Sequence, residues 1–286
     1  MDAILQIDRL TKNYPDFRLD EVSFCVPKGS IVGLIGENGA GKTTTINLIL
    51  HAIEKDGGDV LVFGKDHIAR EKEIKQSIGV VQDECNLPLM FTVSDIETVV
   101  KHIYTNWNHV QYWELIKKFN LPLKQQISTF SKGMKVKLNF AIALAHHSKL
   151  LLLDEATSSL DPVMRDDVLE LLLDFVQDEE NSVLFSTHIT SDLSKIADYV
   201  VFLHEGKLLF YKPKDELIYH YGLIHCGEKQ FEQIERNDIL AWRKQDYEYQ
   251  VLVTDRDAAA RKYRDCVIDP ATLDDIMLLS IRGDKS

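Results

Sequence analysis

The chain has 286 residues, 45% apolar and 27% charged, with 45 Asp and Glu against 33 Lys and Arg and a net charge of −12. That length holds one large domain, or one domain with a small appendage. An acidic balance argues against nucleic acid or an anionic membrane surface as a general partner. Cys25, Cys85, Cys226 and Cys266 contain no C-x-x-C pair, so they give neither a zinc spacing nor a disulfide framework, which fits a reducing cytoplasm. The start "MDAILQIDRL" lacks a signal-peptide pattern, and no apolar run reaches the roughly 18 residues that span a bilayer. A membrane role would therefore come through another chain.

In chain order, "AILQIDRLTKNY" and "FRLDEVSFCV" read as strands, "PKGS" as a turn and "IVGLIG" as a buried strand. A helix is expected from Thr43 to Glu54, stopped by "KDGG", then a strand in "GDVLVFG" and a helix in "REKEIKQ" leading into the strand "IGVV". Residues 85–147 are mostly helical in pattern. "LLLLDE" and "SVLFSTH" are continuous apolar strands of the kind buried on both faces of a parallel sheet. "MRDDVLELLLDFVQDEE" is a helix, and "YVVFLHEGKLLF" a hairpin turning at Glu205-Gly206.

The expected fold is α/β: a P-loop NTPase (RecA-like) core, an antiparallel β subdomain at the N-terminal edge and a helical subdomain over about 85–147. The texture changes near residue 215. Residues 216–286 read as a small α+β accessory unit, with helices in "QFEQIERNDI" and "DRDAAARKYRD", a strand in "YEYQVLV", and a final helix in "DPATLDDIMLLSIRG" with Pro270 near its start.

The stretch "IGENGAGKTTT" lies between the strand "IVGL" and a helix. Its glycines let backbone N–H groups converge on one point, at which the helix also aims its positive end. The spacing Gly36-x-x-x-x-Gly41-Lys42-Thr43 is the full P-loop pattern in its strand-loop-helix setting, so the anion is a nucleoside triphosphate.

Other strands end in polar residues. Asp154 closes "LLLLD", where its carboxylate can hold a magnesium shell, and Glu155 beside it can polarise an attacking water. Alone, "DE" is equally a helix-capping pair, Gln82 in "IGVVQDE" a solvated loop residue, and His188 in "SVLFSTH" a structural histidine. Open α/β sheets bind ligands beyond the carboxyl ends of their strands, which puts Gly36, Gln82, Asp154 and His188 on one rim. "FSKGM" opens a second helix with a serine hydroxyl, another anion site, and Asp161 follows in "SSLDP". Tyr14, upstream of the P-loop, can stack on a base or serve as an ordinary core or surface aromatic.

With these motifs in order, residues 3–215 resemble the ATP-binding subunit of ABC transporters. By that resemblance "GENGAGKTT" is similar to Walker A, which implies Gly36, Asn38, Gly39, Ala40, Gly41, Lys42, Thr43 and Thr44 as nucleotide-binding residues. Gln82 resembles the Q-loop glutamine, "FSKGM" the signature with Ser131 and Gly133 as phosphate donors, and "LLLLDE" Walker B. "SSLD" resembles the D-loop with Asp161, His188 the switch histidine, and Tyr14 the adenine-stacking aromatic. The signature departs from the usual LSGGQ at Phe130, Lys132 and Met134. "SKGM" and the tail "VIDPATLDDIMLLSIRG" are similar to ABC-2-type exporters, a subgroup that exports peptides, antibiotics or lipids.

The resemblance implies ATP and Mg²⁺ as ligands, with Thr43, Gln82 and Asp154 around the metal and Glu155, His188 and Gln82 around the reacting water. It also implies a second ATP-binding subunit stacked head to tail, an integral membrane permease as partner, no nucleic acid, and a place on the inner face of the cell membrane. Leu87, Leu89, Met90 and Phe91 read either as a groove for the permease or as the helical lobe's own core. The rival readings are a soluble ABC-type ATPase working on ribosomes or DNA and a small-molecule kinase. The first usually carries two fused ATPase halves or long basic insertions, and the second would not carry a signature sequence.

Overall fold

The computed structural model describes residues 2–83, 86–158 and 160–284. The first part holds β1 (Ala3–Asn13), β2 (Arg18–Pro27), β3 (Ile31–Ile35), α1 (Lys42–Ile49), β4 (Gly57–Val62), β5 (Lys65–Asp66), α2 (Glu71–Lys75) and β6 (Ile78–Gln82). The helices α3 (Val93–Val100), α4 (His109–Lys118) and α5 (Lys132–Ala145) follow. Then come β7 (Leu150–Asp154), α6 (Pro162–Phe175), β8 (Ser182–Ser186), α7 (Thr190–Ile196), β9 (Tyr199–His204) and β10 (Lys207–Pro213). The last part holds α8 (Lys214–His220), β11 (Gly222–Cys226), α9 (Glu228–Phe231), β12 (Ala241–Gln245), β13 (Glu248–Val253), α10 (Arg256–Lys262), β14 (Val267–Pro270) and α11 (Leu273–Arg282).

The central sheet runs β10-β9-β3-β8-β7-β6, parallel except for the antiparallel edge strand β10. Every residue of β3, β7 and β8 is buried, which is why their sequences are predominantly apolar; β7 closes on Asp154, and β8 has Ser182 and Ser186 at its two ends. The register aligns their carboxyl ends: Gln82 lies opposite Asp154, and Asp154 opposite Ser186. An antiparallel sheet, β2-β1-β4-β5, packs its alternating apolar face on α1 through Leu5, Ile7, Val60, Ile46 and Ile49.

Three helices form a lobe with a core of its own, including Val93, Ile96, Tyr112, Ile116 and Leu138. Their starts are capped as the sequence allows: Thr92 and Asp95 make a reciprocal capping box on α3, Asn108 caps α4 and Ser131 caps α5.

The C-terminal residues form a third, antiparallel sheet, β12-β13-β11-β14. Its inner face is not separate from the main core. Leu223, Leu252, Leu273, Ile276 and Leu279 share one apolar cluster with Leu193 and Ile196 of α7.

Several local expectations are corrected. α1 stops at Ile49, and the chain turns at His51, whose φ is 49°. "QFEQIERNDI" is no single helix; it holds the four-residue α9 and a 3-10 turn at Arg236–Asp238. Pro270 ends β14 opposite Gly222, and α11 starts later, capped by Thr272 with Asp275. Proline suits that place because β14 is an edge strand.

Candidate functional site

At the end of β3 the chain turns sharply over the start of α1. A Cβ on Gly36 would stand 2.4 Å from the Leu203 carbonyl oxygen, so no side chain fits there. Gly41, the residue before α1, has φ 106°, which favours glycine. The Lys42 side chain is buried and turns back over the loop. Its Nζ donates to the Gly36 carbonyl at 2.8 Å and the Glu37 carbonyl at 3.2 Å. The same ammonium is 3.2 Å from Glu155 Oε1.

Asp154 is buried at the end of β7. Burial raises its carboxyl above the ordinary range, against hydrogen bonds from Thr43 and Ser186 that favour the charged form. Ser186 Oγ donates to Asp154 Oδ1 at 3.1 Å. Burial dominates, and a nearby cation would offset that cost. Thr43 hydroxyl and Asp154 carboxylate are hard oxygen donors held together, the donor type that suits Mg²⁺. Among the described residues no cluster of three or more His, Cys, Asp or Glu gathers to hold a metal. One carboxylate and neutral oxygens fit an ion that completes its shell with water and phosphate.

Glu155 turns the chain with φ 52°, and its backbone N–H donates to Ser186 at 3.0 Å. Oε1 faces Lys42 as an ion pair without hydrogen-bond alignment, and Oε2 accepts from His188 Nδ1 at 2.7 Å. The imidazole itself is exposed. Gln82 stands beside Asp154 in register, but its Oε1 accepts from Asn86 Nδ2 at 2.7 Å, directing the amide along the loop.

A cavity of about 560 Å³ opens over the loop, lined by Tyr14, Asp16, Phe17, Asn38, Gly39, Gly41, Lys42, Thr43, Thr44 and Glu155. Ala40 is buried beneath the loop. Asp16 and Phe17 were not expected from the sequence. The turn that closes with Tyr14 N–H on the Phe17 carbonyl, 2.7 Å, brings both aromatic rings to 6.2 Å between centroids. The signal was present as a second aromatic three residues after Tyr14, but only the turn makes it a neighbour.

Ser131, Gly133 and Asp161 are not among the described residues lining that cavity. Ser131 Oγ accepts from Met134 N–H at the start of α5, and Asp161 Oδ1 accepts from Val163 and Met164 at the start of α6. Both are thus helix caps within this chain. Ser159 of "SSLD" and Cys85 lie outside the described residues.

A family model described as ABC transporter matches residues 19–158. A bacitracin transport ATP-binding protein of Bacillus licheniformis is 32% identical over 220 residues, which cover 76% of this chain and 72% of that protein. A lantibiotic transport ATP-binding protein of Streptococcus pyogenes is 30% identical, covering 83% of this chain and 98% of that one. Among solved structures, an ATP-binding subunit of an ABC transporter matches with a TM-score of 0.67 at 26% identity, over 75% of this chain and 91% of that one. With the P-loop turn, the carboxylate at the end of β7 and these relatives together, the chain belongs to the ABC transporter family, as one of its ATP-hydrolysing ATP-binding proteins.

Proposed function

We propose that this ATPase powers export through a separate membrane-spanning subunit, paired with a second copy of itself or a close relative across two ATP molecules. The observation that carries the pairing is a separation: Lys42 lines the cavity, while the Ser131 end of α5 does not. One chain thus holds two half-sites on different lobes. Head-to-tail stacking of two chains lets each α5 terminus meet the other's P-loop, and the contact closes as a two-fold dimer. Among the described residues no helix is long and apolar enough to cross a membrane, so the path for cargo falls to another subunit.

In this reading Lys42 and the loop amides hold the β- and γ-phosphates, with Tyr14 and Phe17 beside the base. Thr43, Asp154 and Gln82 would hold Mg²⁺, which neutralises phosphate charge when bound. Glu155 orients and deprotonates the attacking water, and His188 fixes its carboxylate and reaches the γ-phosphate. Ser131 and Gly133 donate to the other chain's ATP, with Asp161 at the seam. Residues 1–215 are the ATPase unit and 216–286 an accessory unit.

The membrane subunit docks at Leu89 and Met90, which are 47% and 79% exposed. Leu87 and Phe91 instead pack against the helical lobe's own core. Docking there puts the chain on the cytoplasmic face. Peptide antibiotics are the cargo class, by analogy with the two relatives named for bacitracin and lantibiotic transport.

Mixing two inactive variants in the complex with the membrane subunit tests the pairing. Ser131→Arg blocks the α5 half-site and Lys42→Ala the P-loop half-site. A mixed dimer has one site with both defects and one with neither. Random pairing of independent sites then restores up to about a quarter of the parent ATPase rate. Normal hydrolysis by Ser131→Arg alone would overturn the shared-site reading.

A further inference from the structure

Lys132 is the residue at which the signature departs most in charge, and the reaction scheme above leaves it without a role. It occupies the first turn of α5, where no acidic residue stands and where a cation opposes the helix dipole. Its ammonium is 2.5 Å from Asp83 Oδ2, across 49 residues of sequence. Asp83 follows Gln82 directly as the chain leaves β6, and its own N–H donates to the Asp154 carbonyl at 3.1 Å. A continuous set of contacts therefore runs from Asp154 through Asp83 and Lys132 to the α5 start that Ser131 caps.

We propose that Asp83 and Lys132 are a positioning pair that sets the α5 terminus against the rim carrying Gln82 and Asp154, so that Ser131 and Gly133 are presented at a fixed distance from it. The proposal rests on the reading of Ser131 as a phosphate donor to a second chain. Neither residue of the pair lines the cavity around Lys42, so the pair acts on turnover and leaves nucleotide affinity to the loop. The glycine usual at this signature position carries no charge and makes no such contact. Lys132 exchanges backbone freedom at the helix start for an ionic tether to the neighbouring lobe. The side chains of Lys132 and Asp83 are 50% and 28% exposed, so the tether is a screened one, sensitive to salt.

A double-mutant cycle in the full complex tests this. Asp83→Asn and Lys132→Gln should each lower kcat about two- to fivefold, the range of an exposed ion pair, with KM for ATP unchanged. The double variant should be no slower than either single one, because the two side chains act as a unit. Lys132→Arg should keep the parent kcat, and the deficits should shrink in about 0.5 M salt, where charges are screened. Additive losses, or a loss with Lys132→Gln and none with Asp83→Asn, would overturn the pair and leave Lys132 as a direct phosphate contact. Parent rates for all of them would overturn it as well. Glu155→Gln in the same assay separates this failure from a failure of the site reading, since unchanged hydrolysis there removes the site whatever the cycle shows.

Discussion

Glu155 bridges two nitrogen groups: its Oε2 is 2.7 Å from His188 Nδ1, and its Oε1 is 3.2 Å from the Lys42 ammonium. One carboxylate thus ties the P-loop to the connector after β8. Its position is fixed by these two neighbours.

Replacing that carboxylate with an amide of the same shape removes the base and keeps the cavity. Glu155→Gln should retain ATP binding and lose at least about a hundredfold in hydrolysis, the range general-base help supplies. Single-turnover ATPase and nucleotide binding, measured together, check it. Hydrolysis at the parent rate would assign the base elsewhere.

Lys42→Ala should act on binding. Hydrogen bonds from a charged group are worth about 1.5–3 kcal/mol, so ATP affinity should fall roughly 10- to 100-fold. Equilibrium binding of a fluorescent ATP analogue reads this directly, and parent affinity would remove Lys42 from the phosphate site.

Tyr14 stands at the cavity wall beside Phe17, which lines the same cavity from the same turn. Stacking on a base is worth about 1–3 kcal/mol. Tyr14→Ala should weaken ATP about fivefold or more and leave inorganic tripolyphosphate unaffected, because that ligand has no base. Equal losses for both ligands in calorimetry would mean the ring shapes the loop and does not touch adenine.

A buried pair away from the reacting atoms gives a pH test. Thr157 Oγ1 donates to Asp192 Oδ2 at 2.9 Å, and both residues are buried. Burial raises the Asp192 carboxyl above its ordinary 3.8, against the hydrogen bond from Thr157 and the charge of Arg165. Below 3.8 both folded and unfolded chains hold the proton. As pH rises, the unfolded chain releases it first, so the stability present at low pH is lost through the raised folded value. Asparagine accepts the same hydroxyl without charge. Asp192→Asn should therefore unfold at higher urea than the parent at pH 7, with the gap narrowing as pH falls toward 3.8. A constant gap, or a less stable variant at pH 7, would show that the Arg165 attraction outweighs burial.

The sheet was legible where burial is complete. β3, β7 and β8 have no solvent face, so their cores are apolar, and the polar residues at the ends of β7 and β8 marked the rim. β11, β12 and β14 were not legible. β14 is four residues with an exposed valine at its start, and β12 carries Arg243 and Lys244 on a half-exposed edge, so neither shows a buried alternation. At the site, residues that come from strand ends were foreseen. Phe17 and Asp83 were not, because a turn and a lobe contact bring them there, and neither leaves a period in the sequence.

The placing of α7 within the core shared by the central and C-terminal sheets has a mechanical consequence. Leu193 and Ile196 are clamped on one side by the central sheet and on the other by α11. A helix held on both sides serves as a fulcrum. His188 lies in Thr187–Ile189, the three-residue connector between the end of β8 and the buried start of α7 at Thr190. The connector that carries His188 is thus anchored at both ends, by the buried strand β8 and by a helix packed into the core.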